Sequence, residues 1–351
     1  MKVYLAYILD LILGDPEGYP HPVRLIGSLI SKEERIIRKY AKGEKALKIA
    51  GFVMCLFTTA VAYFVTCLLI YLVGFINCYF QYFLEVVLIY TTLATKDLAK
   101  AAYRVFKPLE EKDLETARKK LSLIVSRDTE KLEEKDIIRG VLETVSENIS
   151  DGIIAPMFYA FLGGAPLAML YKAASTLDSM VGYKNEKYKD LGFASAKLDD
   201  ILNFIPARIT GLLIVISSFL LGYDYKNSFR IFMRDRLKHE SPNSAHGEAA
   251  LAGALGVELG GLNYYFGKPV IKPRLGDKKV DLSLKHIKDS VKIMYMTSFI
   301  GLIVFYLLEN FFKKLIERGD LNERKRGIFR ECEDSHFSCH VNSSVSCRGF
   351  D

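Results

Sequence analysis

The sequence has no block of about five or six like charges, although its 48 Lys and Arg and 41 Asp and Glu residues give a formal net charge of +7. Such blocks are typical of arms that bind nucleic acid, so the sequence argues against that class of partner. No internal repeat and no Gly- or Ser-rich linker divides the chain. The sequence therefore predicts a single domain in residues 1–320, followed by a tail.

Two familiar short motifs are also missing. The apolar stretch from Val3 to Leu13 is interrupted by Asp10 and followed by Gly-Asp-Pro instead of a small-residue cleavage site, so we expect it to be retained rather than removed as a signal peptide. Residues 261–268 have the wrong glycine spacing for a phosphate-binding loop, and Pro269 replaces its Ser or Thr. The sequence thus excludes a Walker A nucleotide site.

Cysteine is scarce, with six residues in two unlike groups. One group lies in or beside an apolar run and comprises Cys55, Cys67 and Cys78. A thiol in such a place usually packs as a small hydrophobic group. The other group lies in the polar tail and comprises Cys332, Cys339 and Cys347. Their spacing matches none of the common zinc patterns, so neither group predicts a metal site.

Apolar residues are abundant and clustered. Residues 49–84 carry no formal charge, whereas about 20 apolar residues suffice for one helical crossing of a bilayer. Ile49 to Ile76 reads as a first span, and a second apolar segment ends near Thr95. Since charged residues still make up 25% of the chain, they must collect in polar segments between spans. The sequence predicts an all-α polytopic integral membrane protein with about four to five transmembrane or re-entrant helices.

The later apolar segments are short or interrupted. Residues 153–171 contain Pro156 and a Gly163-Gly164-Ala165-Pro166 break, so a broken or re-entrant segment is as consistent with them as a plain span. Residues 209–223 and 293–308 are short against the usual range of about 17 to 25 residues. If every segment crossed the membrane, residues 172–208 and 224–292 would face opposite sides.

The polar segments are predicted to be helical loops at residues 31–48, 96–150, 172–208 and 224–292. Residues 31–48 carry seven Lys or Arg against three Glu, which favours a cytoplasmic location. Residues 96–139 place Leu114, Ala117 and Leu121 at helical spacing. This pattern is typical of solvated amphipathic helices without chemistry. Residues 321–351 are predicted to be an accessory or disordered tail.

Four polar stretches beside the apolar segments could carry chemistry, because ionisable groups are expensive there unless they serve a site. The first brings Asp15, His21 and Arg24 close in sequence between prolines. The second places Glu143, Glu147 and Asp151 at i, i+4 and i+8, on one face of a helix if the helix persists. Repulsion within this row points to a cation such as Mg²⁺, and a solvated acidic face is the alternative.

The third stretch has Asp199, Asp200 and Asn203 within two turns, a pattern that suits Mg²⁺ against a phosphate chain but is weak alone. Positively charged residues near it could bind phosphate oxygens or anchor the chain at the interface. These residues are Lys172, Lys197 and Arg208. The fourth stretch runs from Ser241 to Asp277 and is dense in glycine and proline, which predicts a shaped loop.

Several motifs occur together in one order along the chain. They are Gly14-Asp15-Pro16, His21-Pro22, Ile26-Gly27, Glu147-Asn148-Ile149-Ser150-Asp151-Gly152, Asn185-Glu186-Lys187-Tyr188, Lys197-Leu198-Asp199-Asp200, Ser241-Pro242-Asn243 and Lys272-Pro273-Arg274-Leu275-Gly276. With them, the sequence resembles the adenosylcobinamide-phosphate synthase family of cobalamin biosynthesis over roughly residues 5 to 280 and the last apolar helix. Joint order is far more specific than any single motif.

The resemblance implies an integral membrane ligase. Its expected reaction is ATP-dependent amide formation between the free propionate of adenosylcobyric acid and aminopropanol or its phosphate. It implies Mg²⁺ and ATP, a corrinoid substrate, membrane lipid, and contact with other cobalamin-assembly membrane enzymes. It also implies a multi-pass protein of the cell membrane with its site facing the cytoplasm. Alternatives from the residues alone are a Mg²⁺-dependent transferase of isoprenoid diphosphates and a small-molecule transporter.

The motifs and the expected chemistry together select the candidate site residues. The catalytic candidates are Asp15, His21, Glu147, Asp151, Asp199 and Asp200, of which Glu147, Asp151, Asp199 and Asp200 are also the metal candidates. The substrate-binding candidates are Arg24, Asn148, Lys172, Asp178, Tyr183, Asn185, Glu186, Lys197, Asn203, Arg208, Ser241, Asn243, Glu248 and Lys272. His246 departs from the family turn, so it is a poor catalytic candidate although its ring could carry protons.

One cytoplasmic site requires the four stretches to meet. Simple alternation of spans would separate the third from the fourth. We therefore expect the Gly-Gly-Ala-Pro segment and residues 209–223 to be re-entrant or partly buried, which is tolerated where protein surrounds the broken backbone.

Overall fold

The computed structural model describes residues 1–15, 21–183, 185–265 and 267–342, with side chains described as far as residue 315. Helices make up most of the described chain. In order, its elements are α1 (Lys2–Leu13), α2 (Pro22–Tyr40), α3 (Glu44–Ile76), α4 (Cys78–Tyr90), α5 (Thr95–Glu110), α6 (Leu114–Leu121), α7 (Glu134–Ile149), a π-helical turn (Ser150–Ile154), α8 (Ala155–Val181), α9 (Phe193–Leu202), α10 (Phe204–Leu220), α11 (Tyr225–Asp235), α12 (Ser244–Leu255), β1 (Leu259–Tyr265), β2 (Lys268–Leu275) and α13 (Leu284–Asn342).

Three helical stretches are long and apolar enough to cross a membrane. They are Glu44–Ile76, Glu134–Val181 and Leu284–Leu315. The pair α9 and α10, bent by 49°, would make a fourth if it counts as one broken span or re-entrant loop. These helices confirm the predicted all-α polytopic membrane fold. The second predicted apolar segment forms α4, which has 13 residues, fewer than the about 17 that a crossing normally needs.

The predicted break in the third apolar segment is confirmed. Gly163 has φ −154° and ψ 28°, and Gly164 has φ 66° and ψ −158°, so the α-helical conformation stops there within α8. A positive φ of this size is readily adopted by glycine and rarely by other residues. Pro166 follows the break at the position where a new helical segment tolerates proline.

The charged segment folds as predicted into short amphipathic helices. Ala117 and Leu121 on α6 are fully buried, while Lys119 and Glu115 form an exposed i, i+4 pair. The exception is Arg127, which is only 7% exposed. The segment is therefore not solvated throughout, and Arg127 belongs to the buried network described below.

The predicted glycine-rich shaped loop contains a β-hairpin. Strands β1 and β2 pair antiparallel, with a register irregularity between Leu259 and Gly261. Gly260, at φ +82°, lies where a Cβ atom would be 2.1 Å from the Pro273 carbonyl oxygen. Close approach of the two strands thus requires glycine at this position.

The chain divides into two compact units, Met1–Ile303 and Val304–Asp351. In the first, α2, α3, α8 and α9 enclose an apolar cluster that includes Ile30, Met54 and Leu177. In the second, the described side chains include an edge-to-face pair, Phe311 and Phe312. The side chains of residues 321–351, including the three tail cysteines, lie outside the described residues, so the prediction of an accessory or disordered tail stays a prediction.

Close packing of α3 against the segment before α9 predicts the effect of one glycine substitution. A Cβ atom at Gly51 would lie 2.0 Å from the Leu191 carbonyl oxygen, whereas at Gly27 its nearest neighbour would be Met180 Sδ at 3.5 Å. Overpacking at Gly51 should lower the free energy of unfolding of Gly51→Ala by about 1–3 kcal/mol. Gly27→Ala should be neutral or stabilising by about 1 kcal/mol, because alanine favours helix. Circular dichroism melts in detergent would measure both, and equal melting temperatures would contradict the expectation.

Candidate functional site

The ends of several helices enclose one cavity of about 360 Å³, which we call the acidic pocket. Six carboxylates line it, from Glu147, Asp151, Asp178, Asp199, Asp200 and Glu240. Two lysines, Lys189 and Lys197, also line it, and the remaining polar lining comes from Ser146, Ser150, Tyr183, Asn203, Ser241, Asn243 and Ser244. The C-terminal end of α7, the π-helical turn, the ends of α8 and α9 and the beginning of α12 supply most of these residues.

Ten of the predicted site residues line this pocket. They are Glu147, Asp151, Asp178, Tyr183, Lys197, Asp199, Asp200, Asn203, Ser241 and Asn243. The third and fourth polar stretches meet directly, because Asn243 Nδ2 donates to the Asp200 carbonyl oxygen at 2.8 Å and Ser241 Oγ donates to Asp200 Oδ1 at 3.1 Å. A topology that separates these two stretches by the membrane is therefore wrong. The bent α9 and α10 pair is consistent with the expected re-entrant or partly buried segment.

Glu143 and Glu147 lie one turn apart on α7, and Asp151 follows in the π-helical turn Ser150–Ile154. The regular α-helix on which the predicted row depended therefore ends at Ile149, before Asp151. Glu147 and Asp151 both line the acidic pocket. Glu143 instead pairs with Arg127, which the sequence analysis did not select.

Carboxylates in the acidic pocket interact strongly with one another. Asp151 is repelled by Asp199, Glu147 and Asp178, in decreasing order. Asn203 Nδ2 donates to Asp199 Oδ2 at 3.0 Å, and Lys197 Nζ lies 3.4 Å from Asp200 Oδ2. These partners offset only part of the negative charge. A cation held by the pocket would reduce the remaining repulsion.

Mg²⁺ fits this donor set by type, since it prefers carboxylate oxygens. Among the described residues, however, no three His, Cys, Asp or Glu side chains are arranged closely enough to hold a metal ion. The predicted metal residues Glu147, Asp151, Asp199 and Asp200 share the pocket without forming a finished coordination shell. The metal assignment therefore remains a proposal about where Mg²⁺ would bind.

A second polar group lies near the start of the chain. His21 Nε2 is 3.4 Å from Asp15 Oδ1, and His21 Nδ1 accepts a hydrogen bond from the Val23 backbone N–H at 3.3 Å, capping α2. Lys172 is attracted electrostatically by Asp15 and, less strongly, by Asp151. Neither Asp15 nor His21 lines the acidic pocket. Lys172 thus connects this group with a carboxylate of the pocket.

Tyr171 contacts two residues that line the pocket, and the sequence analysis did not select it. Its hydroxyl donates to Asn203 Oδ1 at 2.8 Å and lies 3.1 Å from the Asp151 carbonyl oxygen. The Tyr171 ring stacks on Tyr159 at a centroid distance of 5.2 Å. A tyrosine in an apolar run carries no sequence signal for this role, because it reads as an ordinary membrane-interface residue.

A buried ion network stands beside the pocket. The Arg127 and Glu143 side chains are each 5% exposed and form a direct ion pair. Glu143 Oε1 also accepts from the Gly260 backbone N–H at 2.8 Å, and Arg127 Nη1 donates to Asn263 Oδ1 at 2.6 Å. This network connects the β-hairpin to α7 through Glu143, which lies one helical turn before Glu147.

Glu248, which is buried, and Lys272, which is partly exposed, interact electrostatically and do not line the acidic pocket. Glu248 is 2% exposed, and His239 Nε2 lies 3.7 Å from its Oε2 atom. Burial raises the pKa of Glu248 well above its usual value, and repulsion from Glu143 and Glu147 adds to this. Burial acts to lower the pKa of Lys272, but nearby Tyr265 and the acidic groups raise it overall. Both shifts favour the protonated form of the group, relative to its ordinary titration.

The remaining candidates lie outside the pocket lining. Arg208 supports it indirectly, since Arg208 Nη1 lies 3.4 Å from Asn243 Oδ1. Asn148 Nδ2 donates to the Thr144 carbonyl oxygen at 2.9 Å, and Asn185 Oδ1 accepts from the Tyr188 N–H at 3.1 Å. Arg24 and Glu186 are exposed. A direct substrate contact by these side chains stays a prediction.

A larger groove of about 1540 Å³ lies between the charged segment and the β-hairpin. Its lining mixes both charge signs, with basic residues Arg118, Lys119, Arg127, Lys131, Lys135, Arg139, Arg274 and Lys278 and acidic residues Glu115, Asp128, Glu130, Asp136, Glu258 and Asp281. Several of these charges form ion pairs with one another. Arg274 Nη1, for example, lies 2.6 Å from Glu258 Oε1. The groove therefore differs from the acidic pocket in its electrostatic character.

His246 is a buried neutral residue. It is 0% exposed, and neither ring nitrogen has a hydrogen-bond partner among the described residues. Its ring lies edge-to-face against Phe232 at a centroid distance of 5.8 Å. Burial, helped by repulsion from Arg208, lowers the pKa of His246 to about 4. This environment agrees with leaving His246 out of the catalytic set.

The lowered pKa of His246 predicts a pH effect on stability. As pH falls from 6.5 towards about 4, an unfolded histidine binds a proton before the folded one. The free energy of unfolding should therefore decrease in this window, by up to about 3 kcal/mol from this residue. Wild type and His246→Gln would be melted in detergent between pH 7.5 and 4.5, about the range in which histidine titrates. The variant should lose stability less steeply, and parallel curves would contradict the expectation.

Comparisons with known proteins agree with the motif order. The family model described as CobD/Cbib protein matches residues 3–294. The cobalamin biosynthesis protein CobD of Clostridium perfringens is 52% identical over 308 residues, covering 88% of this chain and 97% of the relative. The cobalamin biosynthesis protein CbiB of Salmonella paratyphi B is 49% identical over 301 residues, covering 86% and 94%. No solved structure matches the chain. The chain belongs to the CobD/CbiB family, the adenosylcobinamide-phosphate synthase family that its motifs resemble.

Proposed function

We propose that this chain is a membrane enzyme of cobalamin biosynthesis that joins the free propionate of adenosylcobyric acid to aminopropanol or its phosphate in an ATP-dependent amide bond. One observation carries the proposal. Ten candidate site residues line one pocket that is rich in carboxylates, and seven of them, Lys197 among these, come from family motifs far apart in the sequence. Names of relatives that are about half identical support a role in cobalamin biosynthesis. They favour it over an isoprenoid transferase or a transporter.

The chemistry needs activation of a poor electrophile. The propionate oxygen would attack the γ-phosphorus of ATP, releasing ADP and leaving an acyl phosphate. The amine nitrogen would then attack the acyl carbon, the phosphate would leave, and the ammonium proton would pass to a base. Both steps move negative charge onto phosphate oxygens, so cations aimed at those oxygens lower the barrier.

Residues in the pocket and near it suit these steps. Mg²⁺ bound in the pocket would neutralise phosphate charge, and its candidate ligands are Glu147, Asp151, Asp199 and Asp200. Lys197 in the pocket and Lys172 outside its lining are proposed to orient phosphate oxygens. The neighbouring Asp15 and His21 side chains are proposed to act together as the base that accepts the proton from the amine.

The membrane placement forms part of the proposal. The protein would span the cell membrane several times, with the acidic pocket open to the cytoplasm, where it would meet other cobalamin-assembly membrane enzymes. Single cysteines introduced at Asn185 and at Lys197 in a background without reactive native cysteines would be labelled in intact cells and in inverted vesicles. Labelling of both only in inverted vesicles is expected, and labelling of either from outside intact cells would contradict the orientation.

Product formation tests the function directly. Purified protein in nanodiscs would be supplied with adenosylcobyric acid, aminopropanol phosphate, ATP and Mg²⁺, and adenosylcobinamide phosphate would be sought by mass spectrometry. Reactions lacking one component at a time serve as controls. Product without ATP would contradict the ATP-dependent route. No product from folded protein that binds adenosylcobyric acid would contradict the ligase assignment.

A further inference from the structure

Helix α11 carries two parallel stripes on the part of its surface that faces away from the protein. Every fourth residue in one stripe is apolar or aromatic, at Tyr225, Phe229 and Met233, and Leu237 follows at the same spacing just beyond the helix end at Asp235. These four side chains are 38%, 48%, 46% and 66% exposed. The adjoining stripe is basic at the same spacing, with Lys226, Arg230 and Arg234, and Lys238 follows beyond the helix end. Residues four apart are neighbours on a helix, so each stripe is continuous along its length.

The opposite face of α11 is fixed in the protein. Ile231, Phe232 and Asp235 are buried. Asn227 Nδ2 donates to the Gly253 carbonyl oxygen and Ser228 Oγ to the Ala250 carbonyl oxygen, each at 2.7 Å. Both acceptors belong to α12. The exposed apolar stripe is therefore not the face by which α11 packs against the core, because a different face of α11 already makes that contact.

The apolar stripe continues a surface that is suited to lipid. Helix α10 ends at Leu220, and α11 begins at Tyr225. Phe219, at the end of α10, contacts Tyr225 edge-to-face at a centroid distance of 5.0 Å. On α10 the large apolar side chains Leu212, Ile216 and Phe219 are 46%, 44% and 58% exposed. The exposed apolar surface of the candidate span thus passes onto α11 at this aromatic contact.

The charges beside the stripe indicate the depth at which α11 lies. Arg234 Nη1 is 2.7 Å from Asp277 Oδ1, and Lys238 Nζ is 2.6 Å from Asp235 Oδ1. Arg230 also pairs with Asp277. The bilayer core is costly for such groups, whereas basic side chains beside an apolar stripe are typical of helices that lie in the headgroup region. Their aliphatic stems can lie along the apolar surface while the charges meet lipid phosphates.

We propose that α11 is an interfacial helix, whose Phe229 and Met233 side chains, together with Leu237 just after the helix, insert at the boundary of headgroups and acyl chains while its basic stripe contacts anionic lipid. The lipid-facing helix then forms the outer support of α12. Because Asn243 at the start of α12 lines the acidic pocket, the membrane surface would hold one wall of the pocket in place. This inference does not depend on the reaction proposed above.

The chain contains no tryptophan, so a single substitution supplies a fluorescence probe without background. Phe229→Trp and Met233→Trp would report on the stripe. Leu123→Trp, at a side chain 74% exposed in the charged segment, is the control for water, and Phe57→Trp, 53% exposed on α3, is the control for the bilayer core. Each full-length variant would be reconstituted in nanodiscs with phosphatidylcholine brominated near the glycerol backbone or near the chain end. Iodide would probe access from water.

The stripe probes should show blue-shifted emission and stronger quenching by shallow than by deep bromines, with little quenching by iodide. Iodide quenching equal to that of Leu123→Trp would overturn the proposal in favour of a water-exposed helix. Quenching strongest with deep bromines, as expected for Phe57→Trp, would overturn it in favour of a lipid-buried helix. Protection from both quenchers would overturn it in favour of contact with a second copy or another protein.

Anionic lipid would be tested in the same format. Adding phosphatidylglycerol should shift the emission of Phe229→Trp further to the blue, and Lys226→Gln in that background should reduce the shift. An emission spectrum that does not respond to phosphatidylglycerol would overturn the anionic-lipid part of the proposal. Circular dichroism of each variant would establish that the helices are retained, so that a loss of quenching reports position and not unfolding.

Discussion

Asp199→Asn should reduce the rate of amide formation by about 100-fold or more, in keeping with the loss of one electrostatic contributor from a preorganised site. Asp199 lies in the acidic pocket and accepts a hydrogen bond from Asn203 Nδ2 at 3.0 Å. The amide has nearly the same shape but no charge, so the fold should persist while Mg²⁺ loses a negatively charged partner. Initial rates at several Mg²⁺ concentrations would measure the effect.

The Mg²⁺ dependence separates two roles of Asp199. A metal ligand predicts that Asp199→Asn raises the Mg²⁺ concentration needed for half-maximal rate, whereas a purely structural role predicts a lower melting temperature instead. Glu115→Gln is the matched control, because Glu115 forms an exposed pair with Lys119 and lies outside the pocket. Wild-type rates for Asp199→Asn at low Mg²⁺ would contradict the assignment of this carboxylate.

Removing one partner of the buried Arg127–Glu143 pair should give the second large effect. Both side chains are 5% exposed, so Glu143→Gln leaves a largely buried arginine without its direct ion-pair partner. The expected cost in the free energy of unfolding is about 3–5 kcal/mol. Chemical unfolding in detergent, followed by circular dichroism, would measure it. Removing both charges in Arg127→Met/Glu143→Leu should cost less than the sum of the single substitutions.

An exposed pair provides the control for this energy. Glu115→Gln removes an ion pair whose side chains are 78% and 72% exposed, for Glu115 and Lys119 respectively. Such pairs contribute about 0–1 kcal/mol, because water screens them. If Glu143→Gln lowered the free energy of unfolding no more than Glu115→Gln, the buried network would not be the main interaction that holds the β-hairpin against α7. Full additivity in the double variant would likewise argue against direct coupling.

Local rules predicted much of the fold from the sequence. The uncharged run at residues 49–84 predicted the long helix α3, since composition decides whether a segment can cross a bilayer. The Gly163-Gly164 break could be foreseen for a similar reason, because glycine permits the φ of 66° found at Gly164. The short length of α4 could not, since the apolar residues continue past the end of the helix at Tyr90.

The pocket was predictable only as a set of motifs. Asp199, Asp200 and Asn243 were selected from motif order, and the structure brings them together through hydrogen bonds between distant segments. Arg127 could not be selected, because in sequence it resembles the solvated charges around it. Its burial arises from the pairing of α7 with a β-hairpin more than a hundred residues later. Only tertiary contacts distinguish such a residue from its neighbours.

The π-helical turn at Ser150–Ile154 also has a consequence for how lengths can vary in this protein. A π turn contains one residue more than the α-helical path it replaces, and each residue of an α-helix turns the chain by about 100°. Deleting one residue there would restore a regular α-helix and leave the beginning of α8 close to its present position, because the π turn absorbs the extra residue locally. Asp151 lies inside the turn, so its position relative to Glu147 would change. Chain length at this turn therefore determines where the Asp151 carboxylate lies in the acidic pocket.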